Sequence, residues 1–115
     1  MTIPPQVFAD ISGLPGEELI LPGLRTLETG RADSAEALLI LIAKGRLIKA
    51  GWTFLDGLQL QLGEVEPLLY EALGKRDPDS AYRNYNSWKR RLDRFIRSLE
   101  SQARTTASSG GTSSV

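Results

Sequence analysis

The chain contains neither cysteine nor histidine. Without cysteine it forms no disulfide and offers no thiolate to a metal. Without histidine it lacks the one side chain that titrates unperturbed near neutrality, the commonest metal ligand and a frequent general base. Catalysis would have to rest on carboxylates, lysine or tyrosine, and no spacing of these residues forms a catalytic motif. A non-enzyme without a cofactor is therefore expected. Long hydrophobic runs are also missing. The longest, residues 37–43, has seven apolar residues and is far short of a membrane span. The first ten residues, M-T-I-P-P-Q-V-F-A-D, lack the basic start and apolar run of a secretory signal. A cytoplasmic protein is expected.

Any metal site would have to be built from oxygen. Asp77 with Asp79, and Glu64 with Glu66, are the nearest carboxylate clusters. Asp77-Pro78-Asp79 is better explained as a helix start, and nothing follows the spacing of a calcium loop. Gly13, Gly16 and Gly23 are scattered among leucines and prolines, unlike a phosphate-binding loop. The serines fall chiefly in the last residues, with no base to activate them. Tyr70, Tyr82 and Tyr85 lie in helical patterns, where packing with the hydroxyl at the rim accounts for them.

What is present is helical period. At 115 residues the chain suits one domain with a single core. Residues 37–43 as a helix are apolar on every side, as in a helix covered from several directions. Asp33 or Ser34 supplies its N-cap, and Asp33 with Glu36 has capping-box spacing. Lys44, Arg46 and Lys49 suit the C-terminal half, Gly45 is a place for the segment to divide, and Gly51 can close it. Before it, a first helix is predicted from Pro15 or Gly16 to Thr29, with Ile20, Leu24 and Leu27 inward and a kink at Pro22. Residues 1–15 have no helical period and are predicted to form an extended arm, with Ile3, Val7, Phe8, Ile11 and Leu14 as anchors.

After the central segment the period changes from 3.6 to 2. W-T-F-L-D-G-L-Q-L-Q-L predicts a short β-hairpin over residues 52–62, turning at Leu55-Asp56-Gly57. Helical spacing returns over residues 64–73, with Val65, Leu68, Leu69, Ala72 and Leu73 on one face and Gly74 as terminator. A last helix is predicted from Asp77-Pro78-Asp79 to about Arg104, and residues 105–115 have the composition of a disordered tail. The expected fold is mainly α: a compact single-domain bundle of about four helices over residues 16–104, with the hairpin.

Ala81, Tyr85, Trp88, Leu92, Phe95 and Leu99 are spaced 4, 3, 4, 3, 4, an a/d seam along the last helix. Net charge is zero but uneven: residues 1–80 carry −5 and residues 81–115 carry +5. Arg83, Arg90, Arg94 and Arg97 fall opposite the seam. The plain reading is a core-packed seam and a solvated basic face. The sharper one is that Arg83, Lys89, Arg90, Arg91, Arg94 and Arg97 meet an acidic protein surface or phosphates. A third is a homodimer through paired C-terminal helices.

G-L-R-T-L-E-T-G-R-A-D-S-A-E-A-L-L-I at residues 23–40 and Y-N-S-W-K-R-R-L at residues 85–92 resemble a family of small bacterial helical proteins that carry no known activity. That pattern more often has threonine where Ser34 stands and proline where Gly45 stands. The resemblance implies a fold, not a chemistry, and would suit the small, antitoxin-like partner of a larger enzyme. A non-catalytic protein-binding or regulatory module is the expected function, with nucleic-acid binding through the basic face as the alternative.

Overall fold

In a computed structural model of the chain, residues 2–58 and 64–113 are described, with side chains as far as Gln102. Among these residues there are six α-helices and no strand: α1 (Pro5–Ile11), α2 (Glu17–Glu28), α3 (Ala35–Ile42), α4 (Lys44–Lys49), α5 (Val65–Arg76) and α6 (Ala81–Ser113). The predicted mainly helical fold is thus observed, with more helices than expected. Short 3₁₀ segments at Thr53–Gly57 and Pro78–Ser80 complete the chain order.

The centre is α3. Ser34 is its N-cap, its Oγ accepting from the Ala37 N–H at 3.1 Å. Asp33 instead lies outside, 3.7 Å from Arg31. Ala37, Leu38, Leu39 and Ile40 are buried, whereas Leu41 and Ile42 reach the rim of the core. The segment does divide, but at Ala43 rather than Gly45. A tight turn there (φ −101°, ψ 18°) redirects the chain so that Leu47 of α4 is fully buried. Gly51 (φ +117°) then closes α4 with paired bonds, Gly51 N–H to Ile48 and Trp52 N–H to Leu47. These are the two bonds of a Schellman motif, which requires the left-handed conformation glycine tolerates.

α2 crosses α3 and sends Ile20, Leu24 and Leu27 fully into the core. It runs without interruption through Pro22, whose exposed position leaves the freed Glu18 carbonyl on the solvent side. α5 continues past Gly74 to Arg76, because the glycine has ordinary helical surroundings and nothing there forces a left-handed turn. α6 lies across α3 and α5, burying Leu92, Phe95, Ile96 and Leu99. The Phe95 ring meets the Trp52 indole edge-on at 5.7 Å.

Three expectations are corrected. The last helix does not end near Arg104: α6 runs on to Ser113, through most of the stretch predicted to be a disordered tail. The arm is not extended throughout: residues 5–11 are helical, with Pro5 in the first turn, and Ile3, Val7 and Ile11 are buried. Four-residue spacing from Val7 to Ile11 was the signal, obscured by the prolines. Thr53–Gly57 forms a 3₁₀ turn instead of the first arm and turn of a hairpin. Three-residue spacing buries Trp52 and Leu55 together, which outweighs the period-2 pattern because a lone hairpin buries too little. The Leu58 N–H does bond the Leu55 carbonyl, so a turn stands where one was read. Residues 59–62 of the proposed second arm lie outside the described residues.

Candidate functional site

The outer face of α6 is fixed by its inner one. Ala81, Leu92, Phe95 and Leu99 of the predicted seam are buried, and Tyr85 and Trp88 are partly buried against the core. The seam is therefore used within one chain. At 100° per residue this turns Arg83, Arg90, Arg94 and Arg97 outward, and all four are exposed.

The six basic residues singled out from sequence divide into two groups. Lys89 and Arg91 flank the seam and tie α6 to its neighbours. Lys89 Nζ lies 3.0 Å from Glu66 of α5 and 5.3 Å from the Tyr85 ring centre. The Glu66 carboxylate holds the Lys89 ammonium above its ordinary range. Arg91 pairs with Glu18 in the first turn of α2. Hydrogen bonding from its own backbone, then the Arg91 guanidinium, hold the Glu18 carboxyl below its ordinary range. The α1–α2 turn sits against the same stretch: a side chain on Gly16 (φ +89°) would lie 3.1 Å from the Arg91 carbonyl.

The outward group is Arg83, Arg90, Arg94 and Arg97. Arg97 Nε lies 2.9 Å from Asp93 one turn earlier. No ion pair among the described residues engages Arg83, Arg90 or Arg94. Asn86, Lys89, Arg90, Asp93, Arg94 and Arg97 line an open groove along the helix. Arg46 joins this face from α4, reaching Asp93 at 3.1 Å and Glu100 at 3.4 Å. Sequence reasoning missed that role, since Arg46 has an adequate local explanation as a cation near a helix C-terminus. Only the tertiary fold brings the Arg46 side chain within reach of Asp93.

The resulting surface is cationic but not uniformly so. Asp93 sits between Arg46 and Arg97, and Glu100 borders the row. Exposed pairs of this kind contribute about 0–1 kcal/mol each, so they orient the guanidinium groups more than they hold the fold. The face can offer planar, multiple hydrogen-bond donors to carboxylates or phosphates. Among the described residues no group of three or more carboxylates is placed to hold a metal ion, and no helix is long and apolar enough to cross a membrane. Family models, curated proteins and solved structures offer no match to this chain.

Proposed function

We propose that the protein is a non-catalytic binding module whose outer α6 row, Arg83, Arg90, Arg94 and Arg97, docks on an acidic face of a protein partner. The observation that carries this reading is the division of labour on α6. Lys89 and Arg91 are tied to Glu66 and Glu18, while Arg83, Arg90 and Arg94 project without an ion pair among the described residues. A protein partner is favoured over nucleic acid because the row is of mixed charge, with Asp93 between Arg46 and Arg97 and Glu100 at its border. Those pairs engage Arg46 and Arg97, which leaves fewer free cations for a run of phosphates, whereas a protein surface of mixed charge can answer both signs. No aromatic ring interrupts the exposed arginines to stack on bases. The antitoxin-like role of a small partner to a larger enzyme belongs to the same proposal and rests on analogy.

The test replaces all four arginines with glutamine. The fold should persist, shown by an unchanged far-ultraviolet spectrum, and cross-linking to the native partner should be lost. Retention on a nucleic-acid column should be negligible for the unmodified protein at physiological salt. Strong retention that weakens steeply with salt would replace the protein reading with the nucleic-acid one. A partner retained by the glutamine variant would remove the row from the interface.

A further inference from the structure

We propose that the groove between α5 and α6 binds an extended, proline-rich peptide segment carrying a cation at one end, a second surface distinct from the arginine row. Tyr70 and Tyr82 are the exposed large hydrophobic residues among those described, at 42% and 71% exposure, and both line this groove. The Tyr85 ring stands between the helices, edge-on to Tyr70 at 5.6 Å. Leu41 and Ile42, where α3 emerges from the core, and Val65 and Pro67 of α5 complete an apolar lining. Three tyrosines on one groove give rigid aromatic ridges at little entropic cost.

The chemistry of the rim selects the occupant. The hydroxyls of Tyr70 and Tyr82 have no hydrogen-bond partner among the described residues. A polyproline II segment makes no internal hydrogen bonds, so its carbonyls accept from such hydroxyls while its rings pack between aromatic ridges. An amphipathic helix brings carbonyls that are already satisfied. Charge supplies the second half of the argument. Glu66 is neutralised by Lys89, but Glu64, which also lines the groove, is exposed and enters no ion pair among the described residues. A cation on the peptide complements that carboxylate.

The test is fluorescence anisotropy of the full chain with a labelled oligoproline peptide headed by arginine. Saturable binding is expected, and Tyr82→Ala should weaken it by about tenfold or more, as for an aromatic anchor. Tyr82 is too exposed for its loss to disturb the core. Glu64→Gln should remove the preference for the arginine-headed peptide over plain oligoproline. Arg90→Gln with Arg94→Gln should change nothing, which separates this groove from the arginine row. Independently of any variant, ring proton resonances of Tyr70 and Tyr82 should move on titration while those of buried Trp52 stay. No binding at roughly millimolar peptide, where the free energy is about −4 kcal/mol, would overturn the proposal. So would unmoved tyrosine resonances, undiminished binding by Tyr82→Ala, or tighter binding of an amphipathic helical peptide.

Discussion

A methyl group on Gly23 would sit 2.6 Å from the carbonyl oxygen of Glu36 and 2.7 Å from the Ile40 side chain. That distance sets how closely α2 crosses α3, because the obstacle is backbone and cannot rotate away. Gly23→Ala should therefore destabilise by about 1–3 kcal/mol, although alanine is the better helix former. Gly45 in α4 provides the control. It has helical conformation and open space around its α-carbon, so Gly45→Ala should stabilise by about 0.5–1 kcal/mol. Urea titrations of both variants should move in opposite directions; a Gly23→Ala variant as stable as the unmodified chain, or more so, would show that the crossing is looser than the geometry requires.

Glu36 also receives both guanidinium nitrogens of Arg76, at 2.7 and 3.0 Å, and Arg76 lies over the Trp88 ring at 5.6 Å. The Arg76 hydrogen bonds hold the Glu36 carboxyl below its ordinary value of 4.5. A depressed folded-state value means the stabilising contribution is complete above 4.5 and is lost as pH falls through the lower, folded-state value. Acidification through this window should lower the thermal midpoint of the unmodified chain. In Arg76→Gln the drop should be smaller, from a starting stability reduced by about 1–2 kcal/mol for a pair whose arginine is half exposed and whose carboxylate is largely covered. Parallel pH curves for the two proteins would detach Glu36 from the acid response.

Phe95 and Trp88 both belong to the seam but differ in burial. Phe95 is fully buried, so Phe95→Ala should cost about 3–5 kcal/mol. Trp88 is partly buried, with Arg76 covering its exposed side. Trp88→Ala should cost less, about 2–3 kcal/mol. Neither loss should depend on protein concentration, because the seam packs within one chain. A midpoint that rises with concentration would restore an intermolecular role for this helix.

Residues 105–115 include only Ala107 and Val115 as apolar side chains. Residues 105–113 continue α6 as helix, but a segment of this composition has little apolar surface to bury against the body. Ending the chain after Arg104 should leave the thermal midpoint unchanged within error. A fall of several degrees would show that these residues dock on the body.

Much of this arrangement is present in local sequence. Ile20, Leu24 and Leu27 announce the inner face of α2 by spacing, Ser34 announces the start of α3, and Phe95 with Leu99 announces the inner face of α6. Each depends on the 3.6-residue period or on a cap, both of which act within a few residues. The outward direction of Arg83, Arg90 and Arg94 follows from the same period.

The remaining features are decided between segments. Gly23 looks like a weak point in a helix until α3 is placed against it. Lys89 and Arg91 look identical to their neighbours until Glu66 and Glu18 arrive from α5 and α2. Trp52-Thr53-Phe54-Leu55 alternates like a strand, yet with no neighbouring strand described the burial of Trp52 and Leu55 together decides its shape. Tyr70 and Tyr82 become one surface only because α5 and α6 pack side by side. Periodicity reports which face of an element is apolar; it does not report what that face meets, because the partner is chosen by packing the whole chain at once.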